Sequence, residues 1–157
     1  MFTLIENRKG GRTRALVAPL AWLIVTIIGI VLRPDGSGHG THRQLGLPPC
    51  PSVIFWGRPC PACGLTTSWT HLLHGHVLAS FVSNAIGPFL YIAFTLYALG
   101  HLVAFIKHKE WDTDTKAFNW SVSTLLLIFL AYGGIRFSQT RYEGPAVADA
   151  WFSAHPK

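Results

Sequence analysis

The run Ala15–Leu32, with the sequence ALVAPLAWLIVTIIGIVL, is 18 residues long and contains no charged side chain. As an α-helix it would extend about 27 Å, close to the thickness of the hydrocarbon core of a bilayer. Basic residues crowd its N-terminal side, and Arg33 follows its last residue. The sequence Arg33-Pro34-Asp35 stands where a signal peptide would carry small residues before its cleavage site. The run therefore predicts an uncleaved transmembrane anchor.

Two further apolar runs follow, Ala85–Ile106 and Phe118–Ile135. Pro88 lies in the first turn of the former, where a missing amide costs little. His101, near its far end, is a candidate intramembrane ligand because ionisable groups are rare in spans. Half of the 157 residues are apolar and only 13% are charged, which is low for a soluble domain. The sequence predicts one all-α integral membrane domain, residues 1–157, with three transmembrane helices at about 15–32, 85–106 and 118–135.

The basic residues near the span ends predict the orientation of the chain. With three crossings, the N-terminal tail and the loop between the second and third spans share one side and carry seven Lys and Arg, against six on the other side. Four of the seven crowd against the first span: Arg8, Lys9, Arg12 and Arg14. We expect a multi-pass protein of the inner (cytoplasmic) membrane with its N-terminus in the cytoplasm. The formal charge of +6 lies beside apolar runs, which favours anionic lipid over nucleic acid as a partner.

The segment 34–84 is too long to be a plain connector. After Gly64, apolar residues recur with helical spacing at Leu65, Trp69, Leu72 and Leu73. Threonines and histidines take the other face, which is typical of an amphipathic helix lying at the membrane interface with Thr66 and Thr70 exposed. Packing of the apolar face on the spans is the alternative. Trp56, in a short apolar patch, and Trp69 are the candidate interfacial anchors.

Three cysteines in this outer loop are the candidate chemical site: Cys50, Cys60 and Cys63. A Cys-x-x-Cys pair can hold zinc, form a redox-active disulfide or stay free. Cys50 makes the count odd, so all three can serve one metal, or Cys50 can pair with Cys60 or Cys63 in a structural disulfide. The candidates for a fourth ligand are His71, His74 and His76, with His39 and His42 behind a glycine-rich hinge.

A resemblance rests on residues 50–51, 60–66 and 72–75, which read CP, CPACGLT and LLHG. This pattern resembles a family of small bacterial membrane proteins of unknown function that carries a C-P…C-P-x-C-G-[apolar]-T-R signature. The resemblance implies a membrane location and grouped cysteines, and no established reaction. Thr67 stands where the family usually has Arg, which argues against a role that needs a cation beside the cysteines. His76 replaces a common acid, and Asn84 is not followed at once by Pro.

Two classes of function fit these features. The first is a non-catalytic integral membrane subunit that packs against other transmembrane proteins in a larger complex and closes its outer loop with a structural disulfide or metal, zinc being the candidate cofactor. Small residues such as Gly133 and Gly134 would let another helix approach. The alternative is an enzyme or carrier: a membrane thiol-disulfide oxidoreductase or a metal-handling protein that uses Cys60 and Cys63.

Overall fold

The structure is a computed structural model that describes residues 4–6, 11–111 and 115–142, with side chains described for residues 15–109 and 115–142. A 3₁₀ helix, Thr41–Leu45, follows the first α-helix. The helices are α1 (Gly11–Val31), α2 (Pro51–Trp56), α3 (Leu65–Leu73), α4 (Val77–Ser83), α5 (Gly87–Ile106) and α6 (Lys116–Gln139), and the short strands are β1 (Leu4–Glu6) and β2 (Lys109–Trp111). Of the basic residues that predict orientation, Arg8, Lys9 and Lys157 lie outside the described residues.

Two of the helices, α5 and α6, are long enough and apolar enough to cross a bilayer. The apolar part of α1, Ala15–Val31, is shorter. Only 17% of the apolar stretch of α5 and 6% of that of α6 is buried within the protein, whereas a core helix of a soluble protein would be mostly buried. Leucines of α6 illustrate this, since Leu126 is 54% and Leu127 is 67% exposed. Water is a poor solvent for such surfaces, so the two helices have membrane character.

The short strands form an antiparallel pair in which Leu4 lies opposite Trp111. Apart from this pair, the described elements are helical, which agrees with the all-α prediction. Sequence patterns carry no signal for such a pair of three-residue strands more than 100 positions apart. The pair places the N-terminal segment beside the connection between α5 and α6. The segment that carries the cysteines leaves α1 at its opposite end, and we call residues 33–86 the cysteine unit. Polar bonds join α1 to α5, with Trp22 Nε1 donating to Thr95 Oγ1 at 2.9 Å and Thr26 Oγ1 lying 2.8 Å from the Tyr91 hydroxyl.

The interior of the cysteine unit is polar. Its side chains that are at most 4% exposed include Thr41, Thr67, Ser68, Thr70, Ser80, Ser83 and Asn84. The hydroxyls are satisfied locally: Thr41 Oγ1 donates to Thr67 Oγ1 at 2.9 Å, and Ser68 Oγ lies 2.9 Å from Ser80 Oγ. Buried hydroxyls cost little when they are paired in this way.

The helix predicted after Gly64 is confirmed as α3, but the prediction for its exposed face is wrong. Thr70 is fully buried and Thr66 is half-buried, whereas Trp69 lies against α5. The physical reason is that α4 and the 3₁₀ helix supply hydrogen-bond partners to the polar face. The apolar face of α3 therefore packs towards the long helices. This arrangement agrees with the alternative prediction, in which the apolar face packs on the spans, and not with a helix whose polar face lies in water.

Candidate metal centre

The local fold brings the three cysteines together. Cys50 is the N-cap of α2, and Gly57 ends α2 with a left-handed φ of 61°, which reverses the chain. The Cys60–Cys63 segment forms a turn closed by a bond from the Cys63 amide to the Cys60 carbonyl at 3.0 Å. Gly64 follows with φ 77° and caps α3, and a Cβ at this position would clash with the Ser83 and Gly38 carbonyl oxygens. The glycine of the motif is therefore required by both its backbone angle and its surroundings.

The three sulfur atoms form a compact cluster. Cys60 Sγ lies 3.5 Å from Cys50 Sγ and 3.4 Å from Cys63 Sγ, and all three lie within 4.8 Å of one another. Zinc–thiolate bonds of about 2.3 Å in a tetrahedral site place sulfur atoms about 3.8 Å apart. The observed spacing is close to three corners of that tetrahedron. Cys50 and Cys60 are half-buried and Cys63 is buried, and all three are free thiols.

The environment favours one thiolate in the cluster. The pKa of Cys60 is lowered to about 5, chiefly by its hydrogen bond with Cys63; burial opposes this shift, and contacts with Cys50 and with the Ala62 and Cys63 backbone assist it. The pKa of Cys63 is raised, first by sharing its hydrogen bond with Cys60 and then by burial. A thiolate is the form that binds metals and the form that attacks disulfides.

Asn84 fixes the Cys60–Cys63 turn through hydrogen bonds to its backbone. Its Nδ2 donates to the carbonyls of Cys63 at 3.2 Å and Pro61 at 3.3 Å, and its Oδ1 accepts from the amides of Ile86 and Gly87 at 3.2 Å each. One fully buried side chain therefore caps the start of α5 and fixes the turn that carries Cys63. The sequence signal for this role was an Asn directly before an apolar run with an early proline.

A cation does reach the cysteine turn, from the far end of the chain. Arg136, on α6, donates from Nη1 to the Cys63 carbonyl at 2.8 Å and from Nη2 to the Ser83 carbonyl at 3.2 Å. Its guanidinium also donates to the Tyr142 hydroxyl at 3.1 Å. Thr67, four residues after Cys63, bonds to Thr41. Arg136 directly follows the apolar run 118–135, and a partner 73 residues away leaves no local signal in the sequence.

The C-terminal end of α6 docks on the cysteine unit. Arg58 Nη1 donates to the carbonyls of Phe137 at 2.6 Å and Ser138 at 3.0 Å, where helix carbonyls lack partners of their own. Gly133 is buried against Pro61, and an added Cβ would overlap the proline ring. Gly133, which was expected to let another helix approach, is thus in contact with the Cys60–Cys63 turn. Gly134 has open space around its Cα.

The predicted histidines form two groups, one of which lines a cavity together with the sulfur atoms. Within the described residues, the cluster of metal-ligand atoms contains the three cysteines and no histidine. His71 and His76 lie together with ring centroids 5.8 Å apart, and His74 Nδ1 lies 2.8 Å from the Thr70 carbonyl. A cavity of about 300 Å³ opens beside the sulfurs and is lined by all three cysteines together with His39, His42 and Arg43. His101 lies on α5, with its ring 4.5 Å from that of Tyr97.

The candidate anchors differ in their surroundings. Trp56 is 66% exposed on α2 and meets Phe137 edge to face at 6.3 Å. Trp69 is half-buried, and its Nε1 donates to the Gly87 carbonyl at 2.8 Å. Trp56 presents an apolar surface outward, whereas Trp69 joins α3 to the start of α5.

Comparison with known proteins yields one family. A family model described as "Protein of unknown function (DUF2752)" matches residues 50–98, which cover the three cysteines, α2, α3, α4 and the first part of α5. No curated protein and no solved structure matches the chain. The matched range contains the three cysteines and Asn84, which bonds to the Cys60–Cys63 turn, whereas Thr41 and Arg136 lie outside it.

Proposed function

We propose that this protein is a small, non-catalytic subunit of a larger complex in the inner (cytoplasmic) membrane. One zinc ion would cross-link its cysteine unit. The observation that carries this proposal is the cluster of three sulfur atoms within 4.8 Å at the end of a helical bundle. Cys50, Cys60 and Cys63 would supply thiolate ligands, and zinc would supply a cross-link between α2 and the start of α3. Three convergent thiolates suit a borderline-soft ion such as zinc better than a hard, oxygen-seeking one.

A structural role agrees with how the cluster is connected. The turn between Cys60 and Cys63 contacts Asn84 at the start of α5 and Arg136 at the end of α6. An ion that fixes this turn would therefore fix how two long helices meet. Closing a loop stiffened by Pro51, Pro59 and Pro61 also costs little further entropy.

The proposed membrane arrangement has three crossings, with α1 as the first and the N-terminus in the cytoplasm. The pairing of β1 with β2 supports it, because it brings the N-terminal segment to the same end as the α5–α6 connection. The basic residues at that end, three of them in 107–116, favour the cytoplasmic side. To test this, Ser37→Cys and Ala117→Cys are placed in a background with the native cysteines changed to Ser, and intact cells are treated with an impermeant maleimide. We expect labelling at position 37 only, and labelling at 117 only would reverse the orientation.

The long helices are the proposed contact surfaces for other transmembrane proteins. Apolar side chains of α6 are exposed over most of its length. An apolar cleft of about 670 Å³ lies between α5 and α6, beside Trp69. Lipid and partner helices both suit such surfaces, and a chain of this size needs neighbours to bury them.

Thiol–disulfide exchange is the second candidate, favoured by the lowered pKa of Cys60 and by Cys50 lying 3.5 Å away. The Cys60 thiolate would attack a partner disulfide and release one partner thiolate. Cys50 would then displace the second partner sulfur and leave a Cys50–Cys60 disulfide. The partner gains two electrons and the cysteine pair loses two.

Purification of the tagged full chain in a mild detergent separates the two candidates. Metal analysis of the preparation should give about one zinc per chain, and mass spectrometry should find integral membrane proteins that co-purify. A variant with all three cysteines changed to Ser should contain no zinc. A metal-free parent protein that carries a reducible Cys50–Cys60 disulfide would reject the zinc proposal and support exchange chemistry.

A further inference from the structure

A histidine in the glycine-rich segment after α1 lines the cavity that also contains the sulfur cluster. Gly38 and Gly40, with φ of 75° and 114°, flank His39 and bend the chain around it. The imidazole stacks on the Tyr142 ring, with centroids 4.1 Å apart and planes 6° from parallel. His39 lines the same cavity as Cys50, Cys60 and Cys63.

The hydrogen bonds of His39 define which nitrogen can bind a ligand. Nδ1 lies 3.0 Å from the Ser37 carbonyl oxygen. A carbonyl oxygen only accepts, so Nδ1 carries the hydrogen and Nε2 of the neutral ring carries the lone pair. Nε2 is buried and has no hydrogen-bond partner among the described residues. Metal-bound histidines show this same arrangement, with the second nitrogen donating to a backbone carbonyl.

The other histidines do not share these properties. His42 lines the cavity, but its Nε2 lies 3.3 Å from the Pro48 carbonyl. His71 also has a buried nitrogen without a partner in the described part of the chain, yet it lines a separate cavity that contains none of the three cysteines. His39 is thus the histidine that lines the cavity of the thiols and has a ring nitrogen without a partner among the described residues.

We infer that His39 Nε2 is the fourth ligand and completes a Cys₃His zinc site. This inference rests on the proposed zinc site. His39 lies outside the 4.8 Å group of sulfurs, so binding requires the segment around Gly36–Gly40 to move inward, which its glycines permit. Three thiolates and Zn²⁺ together carry one negative charge, and two guanidinium groups offset it: Arg43 lines the cavity and Arg136 lies on the Cys63 carbonyl.

Cobalt(II) titration of the detergent-purified full chain tests the inference, because its visible absorption reports tetrahedral geometry and its charge-transfer band reports thiolate ligands. We expect the parent and His42→Gln, the matched control from the same cavity, to give the same tetrahedral spectrum. His39→Gln should bind cobalt at least tenfold more weakly, with shifted visible bands. His39→Cys should restore tetrahedral binding, with a stronger charge-transfer band from a fourth sulfur.

The outcomes separate the two proposals. A His39→Gln protein with the affinity and spectrum of the parent would overturn the role of His39 while leaving the three-thiolate site in place. A parent without any thiolate-to-cobalt band would reject the zinc site itself and the inference with it. If His39→Gln fails to accumulate, His39→Cys decides: a four-sulfur spectrum supports the inference, and a spectrum identical to that of the parent contradicts it.

Discussion

The cysteine unit and the long helices α5 and α6 differ in which side chains they bury and which they expose. In the cysteine unit, seven serine, threonine and asparagine side chains are at most 4% exposed, while Phe55 and Trp56 are 76% and 66% exposed. In the long helices α5 and α6, many leucine, isoleucine and phenylalanine side chains are between 37% and 67% exposed, and few apolar side chains are buried. The first region is held together by hydrogen bonds. The second presents an apolar surface that suits an apolar solvent.

This difference shows where the specificity of the fold resides. Lipid tails are as apolar as leucine, so the long helices gain little from packing against one another. Directed contacts must then determine how they meet, and the cysteine unit provides them through Asn84, Arg58 and Arg136. The contrast predicts that polar and glycine substitutions in or against the cysteine unit are costly, and that similar substitutions on the long helices are mild.

Removal of a thiolate should have the largest effect. Cys60→Ser should lower zinc affinity by more than about 100-fold, since even the loss of an outer-shell partner typically costs 10–100-fold. Because structural zinc contributes folding energy directly, the yield and thermal stability of the membrane protein should fall as well. Zinc analysis and a thermal melt in detergent measure both effects. Ala62→Ser, at the exposed position between the two cysteines, is the matched control and should behave like the parent. Normal yield with normal zinc in Cys60→Ser would show that the cluster is not structural.

Asn84→Ala should destabilise the protein by about 2–4 kcal/mol. The change removes four hydrogen bonds and leaves buried groups at the cysteine turn and at the start of α5 without a partner. Asn119→Ala, at an exposed position near the start of α6, is the control and should change stability by less than about 0.5 kcal/mol. Denaturant unfolding in detergent compares them, and equal effects of the two changes would remove the contrast between the regions.

Two adjacent glycines of α6 offer a sharper comparison, because only the first of them lies against the cysteine unit. Gly133→Ala should cost about 1–3 kcal/mol, because the new methyl group overlaps the Pro61 ring. Gly134→Ala meets no atom within 4 Å and should be neutral or stabilising by up to about 1 kcal/mol, the ordinary gain of alanine over glycine in a helix. Thermal melts of the two variants provide the comparison. A larger loss from Gly134→Ala would mean that α6 does not dock on the cysteine turn as described.

A change of pH is the mildest perturbation, and its predicted effect on Cys60 lies in the cysteine unit. In metal-stripped protein the pKa of Cys60 is about 5 in the fold, against 9.0 for an unperturbed thiol, so the unfolded state binds more protons between these values. Cys60 therefore contributes stability that is present above about pH 9 and is lost as the pH falls towards 5. Iodoacetamide should still modify Cys60 at pH 6.5, while Cys63, whose pKa is raised, stays protected. Preferential modification of Cys63, located by peptide mass spectrometry, would contradict this assignment.

The sequence predicted features that depend on neighbours along the chain. The apolar runs 85–106 and 118–135 correspond to α5 and α6, and helical spacing after Gly64 correctly predicted α3. The cysteine spacing indicated a shared site, and the three sulfurs do cluster. These signals are local, because helix periodicity and Cys-x-x-Cys spacing each lie within a few residues.

Features that depend on distant partners were missed. The buried face of Thr70, the contact of Arg136 with Cys63 and the approach of Pro61 to Gly133 all follow from how remote segments meet. His71, His74 and His76 are nearest to Cys63 in sequence, but no histidine lies within the 4.8 Å sulfur cluster, so the fourth ligand stays a prediction. The three-crossing arrangement and the orientation stay predictions.

X-ray absorption at the zinc edge, on the intact protein purified without added metal, tests the central claim most directly. A zinc-stapled cysteine unit predicts three sulfur neighbours at about 2.3 Å and one nitrogen neighbour at about 2.0–2.1 Å. A shell of only oxygen and nitrogen atoms, or a preparation that contains no zinc while the three thiols are intact, would contradict it.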